Sequence, residues 1–421
     1  MDSAIIYGGP QLKGHVDVSG AKNASLLMLA ATLLTEDACI LRNIPNLRDV
    51  QFFIEMLQLL GAEVEQLESH VWRIQAKQIH SSAPYDLVRK MRASVCLLGP
   101  LVGRLKQASL PLPGGCVIGN RPIDLHLHGL RKLGCEIELK NGLVNVHTTG
   151  LHGDRIFLGG RFGSTVTGTA NILMAAVLSE GTTYIESAAC EPEVVDLCHF
   201  LQGMGANIEG IGSPQLIIHG QQPLHGTDFT IIGDRIEAGT FLIASIITNG
   251  HVSIHGCNPQ HLGSLIHVME NACAKIKVDN TSIEAFPCLN QLKPFEITTL
   301  PYPGFPTDLQ AQMCVLAACI PNLSLITDRV YPQRFMHVAE LQRLGTNITL
   351  EGNTAIIQGG HALSGADVMA SDLRASAALY LAGLISQGET HVHRIYHLDR
   401  GYENFESKLE QLGAKVRRIH D

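Results

Sequence analysis

The stretch "LPGGCVIGNRPIDLH" (residues 112–126) sets one cysteine, Cys116, among glycines. Gly114 and Gly115 precede it, and Gly119 follows three residues on. Arg121, Pro122, Asp124 and His126 then crowd together. Structural cysteines act as small hydrophobes in apolar helices and strands. This one lies in a segment built to bend, because glycine reaches backbone angles that other residues avoid. Its roles to weigh are packing, metal ligation, disulfide formation and reaction.

Charged residues of the kind that bind anions stand at a second set of positions. "SGAKNAS" puts Lys22 and Asn23 at a helix start, "RKMRAS" puts Arg92 at another, and "SDLRAS" puts Arg374 at a third. "HLDRGYE" places Arg400 just before the last outer helix, and "FPTDLQAQ" places Asp308 at a helix start. Helix N-termini carry free N–H groups and partial positive charge, so they attract anions. Several converging on one cleft, with Lys and Arg beside them, make an anion trap. Taken singly, each residue has a plainer role: Asp308 as an N-cap, Lys22 as a solvated cation, an arginine as a surface ion-pair partner. The weight comes from Lys22, Arg92, Arg121, Arg374 and Arg400 sharing corresponding junctions of a repeat.

Other motifs carry less. His126 and His128 point to different sides of a helix and read as structural. His391 and His393 share a strand face, but no third ligand accompanies them, so no metal is expected. Trp72 reads as packing. Cys116 to Arg121 is one residue short of the thiol phosphatase loop. "GSTVTGTA" lacks the lysine of a P-loop, and no dinucleotide fingerprint follows a strand.

The elements that position these residues come from the whole chain. Its 421 residues exceed one ordinary core, so two domains are expected. Apolar residues make up 45%, ample for a globular interior. A formal charge of −8 and a pI near 6.2 argue against general affinity for nucleic acid or anionic membrane. No apolar run approaches the roughly 20 residues of a membrane span. "MDSAIIYGGPQLKG" has no cationic start followed by an apolar core, so no signal peptide and a cytoplasmic location are expected. The 11 cysteines lack framework spacing and read as reduced thiols, which disfavours a disulfide on Cys116.

A phrase recurs about every 70 residues: "LGAEVEQ", "LGCEIEL", "MGANIEG", "LGTNITL" and "LGAKVRR", with a degraded sixth copy, "ACAKIKV", at Ala272. Each follows an amphipathic helix. In "DVQFFIEMLQLLG" the stripe is Val50, Phe53, Ile54, Leu57 and Leu60. Gly61, Gly134, Gly205, Gly345 and Gly413 end these helices as left-handed caps, and alternating strands follow. Each repeat also holds a second helix, apolar nearly all round, such as "RASAALYLAGLISQG"; such helices are buried. The unit reads helix, strand, helix, strand, strand.

Six units give an α/β fold of two domains with three units each, inner helices buried and sheets outside. The expected N-terminal domain spans 22–229 and includes a flexible cysteine loop at about 112–122. Residues 1–21 pair with 230–421 as the second domain. The N-terminal strand segment is expected to join the C-terminal half, leaving a cleft between domains as the ligand site.

The motifs "SGAKNA", "RKMRAS", "LPGGCVIGNRPIDLH", "FPTDLQAQ", "RFMHVAEL", "DLRASAAL" and "YHLDRGYE", in this order, closely resemble the UDP-N-acetylglucosamine enolpyruvyl transferase family. The similarity runs essentially end to end. It implies the two-domain inside-out α/β barrel shared with the shikimate-pathway enolpyruvyl transferase. It implies transfer of enolpyruvate from phosphoenolpyruvate to the 3′-hydroxyl of UDP-N-acetylglucosamine, the first committed step of peptidoglycan synthesis. No cofactor or metal is implied. By the resemblance, Lys22, Arg121 and Arg400 hold the phosphate side, and Arg334 and Arg374 lie near the carboxylate. Cys116 is the general acid and adduct-forming thiol, the residue open to fosfomycin, and Asp308 is the base. Nucleotide-sugar contacts fall on Asn23, Arg92, the run Arg121, Pro122, Ile123, Asp124 and Leu125, and Val330. One segment departs from the family pattern: "TVTGTAN" stands where members often read S-V-G-A-T-E-N. The alternatives are a catalytically silent nucleotide-sugar-binding paralogue and a transferase with another acceptor.

Overall fold

The computed structural model describes residues 2–83, 85–88, 91–112, 123–220 and 223–420. Among these, residues before 20 and after 232 form one compact unit, and residues from 20 to 232 form the other. Each unit has its own apolar core.

The repeat is written in the backbone. The outer helix Arg48–Leu59 buries Val50, Phe53, Ile54 and Leu57 and turns Arg48, Glu55 and Gln58 outward, while Asp49 is buried. It ends in a Schellman motif: Gly61 N–H donates to Gln58 C=O at 3.0 Å and Ala62 N–H to Leu57 C=O at 2.9 Å. The five capping glycines, Gly61, Gly134, Gly205, Gly345 and Gly413, take φ between 93° and 102°. The degraded copy makes the same turn without glycine. Cys273 adopts φ 67°, its N–H donates to Glu270 C=O at 2.9 Å, and Ala274 N–H donates to Met269 C=O at 2.8 Å.

The inner helices are buried on every side. All residues of the helix Arg235–Ile247 are buried, as is the run from Arg374 to Leu384 in the helix Leu373–Ile385. With Gln310–Cys319 these are the inner helices of one unit. The other unit holds Lys22–Ala31, Leu98–Leu105 and Val166–Ala176. Arg92 does not begin an α-helix. It begins a 3-10 segment, Arg92–Leu97, ahead of Leu98–Leu105. Pro100 accounts for this: it lacks an N–H and its ring clashes with the carbonyl four residues back, so α-helix starts just before it.

Among the described residues, five sheets are four-stranded, one strand more than each repeat unit supplies, because a short parallel strand joins the edge. Asp228–Thr230 runs parallel to Ala38–Arg42, which pairs antiparallel with Val71–Gln75, and that strand pairs with Glu63–Glu68. Three-residue strands are too short to show periodicity. In the sheet of Gln107–Pro111 the fourth strand is reduced to a single parallel bridge, Ser82 to Ser109. The N-terminal segment joins the C-terminal half. Ser3–Tyr7 lies antiparallel between Glu389–His393 and Lys415–Ile419, and Lys13–Asp17 runs parallel to His251–His255. Trp72 is half-buried and packs on its core.

Candidate active site

In the unit that carries residues 233–420, three of the expected site residues meet. Asp308 sits in the 3-10 turn Thr307–Leu309 that leads into the helix Gln310–Cys319. It is not an N-cap. Its Oδ1 accepts from Arg334 Nη1 at 2.6 Å, and its Oδ2 accepts from Arg374 Nη2 at 3.1 Å. Two guanidinium groups, each bringing a full positive charge as well as N–H donors, hold this carboxylate in place of the backbone N–H groups of the turn.

The flanking residues explain why the three are held. Arg374 is the second residue of its helix, and the cap is Asp372, whose Oδ1 accepts from Arg374 N–H at 2.8 Å and Ala375 N–H at 3.3 Å. The same carboxylate lies 3.8 Å from Arg334 Nη2. Asp328 is fully buried and accepts four bonds, from Thr299 Oγ1 and Thr307 Oγ1 at 2.7 Å, Val330 N–H at 2.9 Å and Tyr331 N–H at 2.7 Å. It thereby fastens the Val330 segment to the residue before Asp308. Asp328 and Asp372 were not singled out in the sequence, although "SDLRAS" carries an N-cap signal for Asp372.

The electrostatics favour an anion. Burial lowers the pKa of Arg334 and Arg374, but Asp308 together with Asp372 at Arg334, and Asp308 together with Tyr402 and Asp234 at Arg374, outweigh it, and both are held above the ordinary arginine value. Arg374 is only 2% exposed, and its Nε and Nη1 have no hydrogen-bond partner among the described residues. The same is true of the buried Ser371 hydroxyl and of His337 Nε2. Burial pushes His337 down to about 4, with Asp372 opposing and Arg334 adding to the shift, so the imidazole is neutral. A buried donor without an acceptor costs about 1–3 kcal/mol. Guanidinium donors in this state suit a carboxylate, whose two oxygens match the arginine fork.

Arg400 ends the short helix Ile395–Arg400 and is half-buried. Its neighbour Asp399 is gripped by Arg418 through two bonds of 2.8 and 2.6 Å. Gly401 follows, and a side chain there would lie 2.7 Å from Leu373.

In the other unit Lys22 starts the helix Lys22–Ala31 and is not solvated. Its Nζ lies 2.7 Å from Asp49 Oδ2, with the side chains 11% and 2% exposed. Asn23 beside it is exposed. Arg92 is half-buried and adds its charge to burial in holding His126 down at about 4. His126 is structural, as expected. Asn171 Nδ2 donates to His126 Nδ1 at 3.0 Å, which leaves Nε2–H for Thr167 Oγ1 at 3.2 Å. Asn171 and Thr167 belong to the atypical "TVTGTAN" segment, so that segment builds a polar core. Ile123, Asp124 and Leu125 open the helix Asp124–Lys132, with Ile123 buried and Asp124 exposed. Cys116, Arg121 and Pro122 lie outside the described residues.

Among the described residues no group of three or more His, Cys, Asp or Glu could hold a metal ion, and no helix is long and apolar enough to cross a membrane. His391 pairs with Glu389 at 3.4 Å and His393 with Asp367 at 2.8 Å.

Residues 6–409 match the family model of EPSP synthase (3-phosphoshikimate 1-carboxyvinyltransferase). The chain belongs to this enolpyruvyl transferase family. A family member from Methylacidiphilum infernorum, named UDP-N-acetylglucosamine 1-carboxyvinyltransferase, is 52% identical over 420 residues, covering 100% of this chain and 99% of that protein. The crystal structure of the enolpyruvyl transferase NikO from Streptomyces tendae superposes with a TM-score of 0.90 at 25% identity, covering 99% of both chains. EPSP synthase from Acinetobacter baumannii, 18% identical, shares the fold with a TM-score of 0.76 over 100% of both chains. The two-domain α/β architecture with buried inner helices is thus the enolpyruvyl transferase fold.

Proposed function

We propose that this enolpyruvyl transferase moves enolpyruvate from phosphoenolpyruvate to the 3′-hydroxyl of UDP-N-acetylglucosamine and releases phosphate. The observation that carries this reading is the end-to-end identity with a relative named for that reaction. The anion site at Arg334 and Arg374 supports it from the chemistry, since phosphoenolpyruvate brings a carboxylate and a phosphate to be neutralised.

The reaction runs by addition and elimination. Cys116 gives a proton to the methylene carbon of phosphoenolpyruvate, and the sugar oxygen bonds to the adjacent carbon while its proton passes to Asp308. Neighbouring cations draw a thiol below its free pKa of about 8.5, which suits proton donation or covalent addition near neutral pH. The tetrahedral ketal then loses a methyl proton and phosphate, and the double bond re-forms. Arg334 and Arg374 hold the substrate carboxylate. As they turn to it, Asp308 is released from its two arginines to take the sugar proton. Lys22, Arg121 and Arg400 neutralise the phosphate. Asn23, Arg92, Arg121, Pro122, Ile123, Asp124, Leu125 and Val330 hold the nucleotide sugar. We place the enzyme in the cytoplasm, at the first committed step of peptidoglycan synthesis.

The test is phosphate release from phosphoenolpyruvate with and without UDP-N-acetylglucosamine, in wild type and Cys116→Ser. Release that depends on the sugar and is lost in the variant is expected. A folded wild type that releases no phosphate points to the silent binding paralogue or to another acceptor, which a trial with shikimate 3-phosphate separates.

A further inference from the structure

The three inner helices of the unit that carries Asp308 converge on one buried phenol, Tyr402. Thr240 comes from the helix Arg235–Ile247, Gln312 from Gln310–Cys319 and Arg374 from Leu373–Ile385. Tyr402 is 3% exposed, and its hydroxyl lies 2.9 Å from Thr240 Oγ1 and 3.2 Å from Gln312 Nε2. The guanidinium carbon of Arg374 sits 5.2 Å from the centre of its ring, within cation–π range.

Counting protons gives the cluster a direction. Thr240 has one hydroxyl proton, and it goes to Ile236 C=O at 2.8 Å. Thr240 Oγ1 is therefore an acceptor for the Tyr402 O–H. The Tyr402 oxygen in turn accepts from Gln312 Nε2. The same amide nitrogen donates to the backbone C=O of Asp308 at 3.1 Å. Gln312 Nε2 also lies 3.1 Å from Thr240 Oγ1, so Gln312, Tyr402 and Thr240 close a triangle of side chains that Gln312 ties to the Asp308 backbone. The ring lies beneath the Arg374 guanidinium, whose Nε and Nη1 have no hydrogen-bond partner among the described residues.

We infer that Tyr402 is a positioning residue. It sets the separation of Arg374 and Asp308, and it anchors the segment that carries Arg400 two residues earlier. This rests on the function proposed above. Tyr402 touches no reacting atom; it acts through the arginine and the aspartate. Two groups that must meet one small substrate tolerate little error, since a misplacement of about 1 Å costs roughly a hundredfold in rate.

The test is steady-state kinetics on the full-length enzyme, varying each substrate in turn. Tyr402→Phe keeps the ring beneath Arg374 and removes only the hydroxyl. We expect kcat/KM for phosphoenolpyruvate to fall about tenfold, with KM for UDP-N-acetylglucosamine within about twofold of wild type. Thr240→Val repeats the loss and Thr240→Ser restores activity, which also carries the test should Tyr402→Phe fail to fold. A Tyr402→Phe enzyme with wild-type kcat/KM for phosphoenolpyruvate overturns the assignment. So does a KM for UDP-N-acetylglucosamine that rises as much as the KM for phosphoenolpyruvate, the pattern of general disorder. No sugar-dependent release from the wild type sinks the functional reading instead. Calorimetric binding of phosphoenolpyruvate to wild type and Tyr402→Phe then decides the role of Tyr402: about tenfold weaker binding supports it, and equal binding overturns it.

Discussion

The ammonium of Lys22 lies 2.7 Å from the carboxylate of Asp49, and the two come from the first turns of different helices, both largely buried. Removing one member of a buried pair leaves the other's charge in a poor medium. Asp49→Ala is expected to cost about 3 kcal/mol of stability, and the double variant Lys22→Met/Asp49→Leu to recover most of it. Urea midpoints of the three proteins check this. A double variant as unstable as Asp49→Ala alone would contradict the pairing account.

Cys273 holds the left-handed position that glycine holds in the five other copies of the repeat. A residue with a Cβ pays about 1–2 kcal/mol there, and glycine gives back part of the gain in unfolded-state entropy. Cys273→Gly is expected to stabilise the protein by about 0.5–1 kcal/mol. Chemical denaturation at one temperature reads it, and a lower midpoint than wild type rules the argument out.

The same cap shows why so much of this fold was legible. Glycine at a helix end and apolar residues at three- and four-residue spacing are local signals, and six repetitions reinforce them. The partners of charged side chains are not local. Asp308 resembled a cap because it precedes an apolar helix, yet its arginines stand 26 and 66 residues further on. Lys22 resembled a surface lysine because nothing near it in sequence announces Asp49. Asp328 and Gln312 gave no signal at all, since their roles exist only once strands and helices have met.

Asp196 offers a pH test. It is buried in the helix Pro192–Gly203 and accepts a hydrogen bond from Ile232 N–H at 3.2 Å. Burial raises its pKa, the Ile232 N–H opposes, and the charge of Glu193 adds to the rise, from 3.8 to about 7. Between those values the folded chain keeps a proton that the unfolded chain has released. This group's contribution to stability therefore falls as pH rises through that window. Asp196→Asn mimics the protonated form, so it should exceed wild type by about 4 kcal/mol near pH 8 and come close to it near pH 4. Denaturation at both values checks the sign, and a pH-independent difference removes the titration from the account.

Cys116 separates two chemical roles. Serine is a far weaker acid and nucleophile than a thiol, so Cys116→Ser is expected to lose turnover by a factor on the order of a hundred or more. Cys116→Asp can still donate a proton and is expected to retain measurable turnover. Complete loss there would favour an obligatory thioether. Incubation with fosfomycin should add one mass equivalent to wild type and none to either variant, as read by intact-protein mass spectrometry.

Asp308 carries the most demanding assignment, because it must pair with two arginines before the substrate arrives and accept a proton afterwards. Its carboxylate is 25% exposed, so it is open on one side while Arg334 and Arg374 grip the other. Asp308→Asn keeps the shape and an oxygen for one arginine but cannot accept the sugar proton. It also leaves two buried guanidinium groups with one carboxylate fewer, and that surplus of positive charge favours an anion. The two effects oppose each other in binding and agree in chemistry. Asp308→Asn is therefore expected to lower kcat on the order of a hundredfold while KM for phosphoenolpyruvate stays level or falls. Single-turnover phosphate release with saturating substrates measures the chemical step directly. If kcat is kept and KM rises, Asp308 is an arginine-holding residue and the base lies elsewhere.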